Sequence, residues 1–147
     1  MYETILLPTD GSDASLAAAR HAGNLASTTG ASVRVVSVAD SRNRFESPSS
    51  GLAPEAWTEA EHDRATAAVE EAAATLPDDV SVEKTVVAGI PQDKILDEIE
   101  ASDVDLVVMG THSRSKLDRY LIGSVTERIV RHSPIPVVTV REDVEAE

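Results

Sequence analysis

No cysteine occurs in the chain, so disulfides, thiolate-bound metals and cysteine nucleophiles are excluded at once. Aromatic residues are almost as scarce, with one Trp, one Phe and two Tyr in 147 residues. A core must therefore be assembled from Val, Ile, Leu and Ala, which the 41% hydrophobic content can supply for one domain of ordinary size. Long apolar runs are missing too. Nothing approaches the ~18 residues that cross a bilayer, and Glu3, Asp10 and Asp13 interrupt the first segment before a leader-like stretch can form. The expected location is cytoplasmic.

Basic charge is the next shortage. There are 13 Lys and Arg against 26 Asp and Glu, a formal net charge of −13, and only Lys84, Lys94 and Lys116 are lysines. Such a chain lacks the basic footprint of a nucleic-acid binder and is repelled by an anionic membrane surface. Abundant acid, few lysines and much Ala, Val and Thr resemble the composition of proteins from salt-loving microbes. There, concentrated salt screens the self-repulsion of so much charge. An acidic protein of ordinary origin is the alternative.

What is present is an alternation of strand-like and helix-like segments. Thr4 to Pro8 is a short apolar strand closed by Pro8-Thr9-Asp10-Gly11. A helix follows from about Ser12 to Thr29, capped by Ser12 or Asp10, with Leu16, Ala19, Ala22, Gly23 and Ala26 at helical spacing and Gly30 at its end. Ser32 to Val38 reads as a second strand. Asp40 to Pro54 is irregular and rich in Ser, Pro and Gly, a length of loop that is usually functional or disordered. Glu55 to Leu76 carries a helical stripe through Ala65, Val69, Ala72 and Leu76, with acidic residues elsewhere. Val80 to Val87 is a third strand, and Pro91 suits the first turn of a helix through Ile95, Leu96 and Ile99. Asp105 to Met109 is a fourth strand, continuously apolar after Asp105 as in strands buried on both faces. A helix starting near Gly123-Ser124 ends with Arg128, Arg131 and His132, which suit its dipole. Pro136 to Val140 is the fifth strand, and an acidic tail spans 142–147.

Strands alternating with helices predict a single α/β domain over 1–147: an open, Rossmann-like parallel sheet of five strands with helices on both faces. Right-handed crossovers leave few orders. We take 3-2-1-4-5, with 2-1-3-4-5 also compatible with the pattern. In the first of these, a ligand crevice opens between strands one and four, outside their C-terminal ends, where Asp10 and Gly110 fall.

The segment from Gly110 to Val125 holds the chemistry. A glycine directly after a buried strand permits a tight turn and close backbone approach. Gly123-Ser124 at a helix start offers N–H groups and a hydroxyl to an anion. A plain strand-to-helix loop with a serine cap would read the same way. The four histidines show no metal-ligand spacing and no nucleophile partner. His112 reads as a loop residue near a ligand. A phosphoacceptor reading of Asp10 fails, because response regulators need an Asp where the third strand here ends in Val87-Ala-Gly89. Thr9 to Ser15 loosely resembles the pyrophosphatase loop of ATP-splitting amide-forming enzymes but lacks its paired glycines.

The same segment resembles the signature of the universal stress protein family: Gly, two residues, Gly, nine residues, then Gly followed by Ser or Thr. Here Gly110, position 113 and Gly123-Ser124 keep the spacing. The likeness extends to Ile5-Leu-Leu-Pro-Thr-Asp-Gly-Ser12, to Val38, and to Ser133-Pro-Ile-Pro-Val-Val-Thr-Val140, nearly the whole chain. The resemblance implies an ATP-binding stress-response protein, a nucleotide-dependent switch or adaptor rather than an enzyme, taking ATP with Mg²⁺. By the same analogy Asp10 meets the adenosine end, Val38 touches adenine, Met109 and Gly110 line the nucleotide, and Pro8 and Thr9 count among the nucleotide-binding residues. Gly123, Ser124 and Val125 hold phosphates, with His112, Ser113 and Arg114 in the loop between. The second signature Gly is Ser113 here, a departure that favours the alternative of a nucleotide-free homodimeric interaction module. A slow ATP hydrolase is the further alternative, although no general base is visible for it. The family also implies a homodimer paired through the fifth strand, an exposed β-rich edge that invites strand addition.

Overall fold

The computed structural model describes residues 2–41, 54–101, 103–111 and 123–142. His112, Ser113 and Arg114 of the expected site lie outside the described residues, as does most of the segment expected to be irregular. The elements are β1 (Thr4–Pro8), α1 (Asp13–Thr29), β2 (Ser32–Asp40), α2 (Pro54–Thr75), β3 (Val82–Gly89), α3 (Pro91–Ala101), β4 (Leu106–Gly110), α4 (Ser124–His132) and β5 (Val137–Val140). All neighbouring strands pair in parallel, in the order β3-β2-β1-β4-β5. That is the order chosen from sequence, and it places the reversal of winding between β1 and β4.

The strand period sorts the core into two layers. Ile5, Leu7, Val33, Val35, Leu106 and Val108 face α1 and α2, where Ala18, Ala22, Ala26, Val69, Ala72 and Leu76 meet them. Leu6, Val36, Val38, Val107 and Met109 face the other way, onto Ile95, Ile99 and Ile129 of α3 and α4. Alanines on α1 let that helix backbone lie close to the sheet, a closeness that matters at the site. The longer isoleucines fill the opposite layer.

Beside one-residue shifts in β4 and β5 and a β3 end at Gly89, two strand limits differ from the sequence reading for a visible reason. β2 continues past Val38 to Asp40, because β3 supplies partners as far as Asp40↔Gly89. β3 starts at Val82, since Val80 is held in a turn by its N–H bond to the Pro77 carbonyl at 3.1 Å while its side chain is buried in the core. A third difference concerns α2. Its acidic residues were expected off the core stripe, yet Glu61, one helical repeat before Ala65, is buried.

Candidate functional site

The pairing of β1 with β2 stops at Pro8↔Val36, and one further bond runs from Thr9 N–H to the Val36 carbonyl at 2.9 Å. β2 runs on to Asp40, and β4 ends at Gly110 on the other side of β1. The middle strand therefore stops short of its β2 neighbour, which leaves a recess at the C-terminal edge. Because N–H and C=O of one strand residue point to the same side, Val38 turns its peptide groups the way Val36 does, toward the space beyond β1.

The turn leaving β1 is tied by its own side chains. Asp10 Oδ1 accepts from Ser12 N–H at 3.0 Å, and Ser12 Oγ accepts from Ser15 N–H at 3.2 Å, which caps α1. Of the two cap candidates, Ser12 is the cap and Asp10 shapes the turn before it. Gly11 between them has φ +83, a left-handed conformation that L side chains adopt at a cost. The Thr9 hydroxyl is committed inward. It donates to Ser15 Oγ at 3.0 Å, accepts from Gly11 N–H at 3.3 Å, and is buried on the α1 side. Thr9 thus offers a ligand its backbone rather than its hydroxyl.

The end of β4 is held as firmly. Thr126 Oγ donates to the Gly110 carbonyl at 2.8 Å, Thr111 N–H to the Val140 carbonyl at 3.0 Å, and Gly123 N–H to the Thr111 carbonyl at 2.7 Å. The two described ends of the signature segment, Thr111 and Gly123, are therefore hydrogen-bonded neighbours. Gly110 is required for a reason the sequence did not suggest. A Cβ there would sit 2.7 Å from the carbonyl carbon and 2.8 Å from the carbonyl oxygen of Ala14. The first turn of α1 occupies that space, so the close approach is made by helix backbone. Gly123 is the N-cap of α4, with extended φ −66 and ψ 160 and no side-chain cap bond. The first N–H groups of α4, on Ser124 and Val125, thus open at the same edge as the ends of β1 and β4. Ser124 is exposed and Val125 half-buried against the α3/α4 layer.

One contribution escaped the sequence reading altogether. From α2, Arg64 Nη1 donates to the Asp10 carbonyl at 3.2 Å and Nη2 to the Val38 carbonyl at 3.0 Å. Glu61 Oε1 accepts from Arg64 Nε and Nη2 at 3.3 Å each and from Asp40 N–H at 3.0 Å. A signal was available: Glu61 shares the helical stripe of Ala65, Val69 and Ala72, and a charge on an apolar stripe asks for a buried partner.

Among the described residues, the expected site residues divide cleanly. Pro8, Asp10, Val38, Met109, Gly110, Gly123, Ser124 and Val125 gather at the C-terminal edge, with Val38 and Met109 buried in the same α3/α4 layer. Thr9 is there with its hydroxyl turned away. Among the described residues no group of three or more His, Asp or Glu is placed to hold a metal ion, and no helix is long and apolar enough to cross a membrane.

An open doubly wound sheet with its polar backbone groups collected at the switch point belongs to the class that receives ligands outside the carboxyl ends of its strands. More narrowly, residues 1–141 match the model of the universal stress protein family, and the chain belongs to that family. It is 35% identical over 145 residues to Universal stress protein MJ0531 of Methanocaldococcus jannaschii, covering 97% of this chain and 84% of that one. The solved structure of MJ0577 from the same organism superposes with a TM-score of 0.81 at 29% identity, covering 95% of this chain and 96% of the other. A universal stress protein solved in complex with cAMP superposes with a TM-score of 0.63 at 27% identity, covering 96% and 98% of the two chains.

Proposed function

We propose that the protein binds an adenine nucleotide, ATP carried with Mg²⁺, in the recess beyond β1, and acts as a nucleotide-dependent switch or adaptor rather than as an enzyme. The observation that carries this reading is the meeting of three features at one edge: Asp10 at the end of β1, the β2 overhang at Val38, and the opening turn of α4 beside Gly110 and Thr111. The cAMP complex of a structural neighbour supports an adenine ligand for this fold. In this reading Val38 and Met109 meet the base, Asp10 the ribose side, and the N–H groups of Ser124 and Val125 the phosphates, a backbone cradle of the helix N-terminal kind. His112, Ser113 and Arg114 belong to the phosphate segment by family resemblance alone. Mg²⁺ needs no protein cage, since it can be carried by phosphate oxygens and water.

The test is chemical. Protein purified in molar KCl and then denatured is expected to release a compound with the absorbance and mass of an adenine nucleotide. Stripped protein should rebind ATP in calorimetry. If neither happens at millimolar ATP, the interaction-module reading takes its place, and turnover of ATP above background would bring in the slow hydrolase. Assembly belongs to the same proposal: a homodimer through β5 and its approach, Pro136 to Val140. That strand ends the sheet order, and its valines are half-buried. A monomer at micromolar concentration in molar KCl would remove the dimer. A thermal midpoint indifferent to KCl would remove the salt-adapted reading of the charge.

A further inference from the structure

Arg64 sits on the sheet side of α2 among Ala65, Ala68, Val69 and Ala72. Placing a guanidinium there takes it partly from water, and its bonds account for the cost. Beyond the Thr9–Val36 bond β1 has ended while β2 runs on to Asp40, and Arg64 links the turn after β1 to β2 by donating to the Asp10 and Val38 carbonyls at 3.2 and 3.0 Å. A planar fork holds two acceptors at a set spacing, which a single flexible ammonium does not. Glu61 fixes the plane of that fork through Nε and Nη2, and the same oxygen holds Asp40 N–H at 3.0 Å. Three points of the recess wall, Asp10, Val38 and Asp40, are thus set by one ion pair on α2.

We infer that Arg64 is a positioning residue for the nucleoside end of the bound nucleotide, setting the width of the recess between the ends of β1 and β2, with Glu61 orienting it. The inference rests on the nucleotide reading above. It deepens that reading by separating the two ends of the ligand: the Arg64–Glu61 pair governs the nucleoside, and the α4 start governs the phosphates. A site loosened at its supporting layer loses affinity although every contacting group remains.

Calorimetry with adenosine and with MgATP, on the wild type and Arg64→Lys in molar KCl, tests it. Arg64→Lys keeps the charge but cannot span both carbonyls. Its affinity should fall about tenfold, the scale of one charge-assisted hydrogen bond, and by the same factor for both ligands, because the affected end is the one they share. Amide exchange in the ligand-free variant should quicken at Ser12 and Asp40 relative to the strand interiors. Should Arg64→Lys fail to fold, Glu61→Gln is expected to give a smaller loss in the same pattern. Wild-type affinity for both ligands in a folded variant overturns the inference and leaves the nucleotide reading standing. So does a loss confined to MgATP, which would make Arg64 a phosphate-attracting charge. A wild type that binds neither ligand overturns the nucleotide reading itself, and this inference with it.

Discussion

At the N-terminal edge of the sheet the Asp105 carboxylate ties two strand starts together. Asp105 accepts from Glu3 N–H at 2.9 Å and Thr4 N–H at 3.2 Å, and its own N–H donates to the Thr4 carbonyl at 3.0 Å. Those partners lie on adjacent strand starts, and the edge is finished by the strands themselves. At the C-terminal edge local bonds tie the turn after β1, and the strand ends are held from other layers as well. Arg64 and Glu61 reach in from α2 and Thr126 from α4, and the opening turn of α4 carries no side-chain cap. The comparison separates two acidic strand-end residues that look alike in sequence. Asp105 stitches neighbouring strands, whereas Asp10 shapes a turn that faces a recess. An edge built to close uses local bonds, and an edge built to hold a fixed opening needs struts from the layers behind it.

The largest expected effect tests how firmly the C-terminal edge is packed. Gly110→Val should destabilise the fold by about 3 kcal/mol or more, at the upper end of overpacking costs, because its Cβ meets the Ala14 backbone, which no rotamer change can move. Urea unfolding measures it. A loss under about 1 kcal/mol would mean that α1 can retreat from the sheet at little cost, and the account of a rigid edge would fail.

The difference between the edges also explains what was legible in the sequence. Alternation and handedness narrowed the strand order to two, and the pairing of the strands is what settles 3-2-1-4-5; burial on both faces was legible in the continuous apolar run Leu106-Val-Val-Met109. Asp10 and Gly110 stood out as an acid and a glycine directly after apolar strands, and Gly123 as a glycine at a helix start, whereas Val38 came from the family resemblance alone. What stayed hidden was contact between distant segments. Nothing local to Gly110 shows that Ala14 lies against it, and nothing near Val38 says that its carbonyl is held from Arg64, 26 positions away. Spacing reveals what one element does for itself. Support across layers is visible only as an anomaly, here the buried Glu61 on an alanine stripe.

A smaller effect is expected at the opposite edge. Asp105→Ala removes the acceptor of two N–H groups, but one of those bonds is exposed and the other only part-buried, so water can take its place. The cost should be about 1 kcal/mol of stability, the net value of an ordinary hydrogen bond, with ATP affinity unchanged. Unfolding and calorimetry on the same preparation check both halves. A fall in affinity at unchanged structure would mean that the two edges are coupled through β1 and β4, and the division of labour drawn here would be wrong.

The smallest effect sharpens the comparison most. Ser124 follows the N-cap Gly123 and is exposed, so its hydroxyl has no part in packing, and Ser124→Ala should leave the unfolding midpoint where it is. In the proposed cradle the phosphates are met chiefly by N–H groups, which alanine keeps. Only the hydroxyl's own bond is lost, about 1 kcal/mol, or about fivefold in Kd. Because adenosine carries no phosphate, its affinity should not move. Arg64→Lys is expected to weaken both ligands equally, and Ser124→Ala only the one with phosphates. Combining the two should add their effects, since each acts on a different end of the ligand. Strong non-additivity for MgATP would show that the nucleoside wall and the phosphate cradle respond as one unit, and the two-ended site would have to be redrawn as a single coupled one.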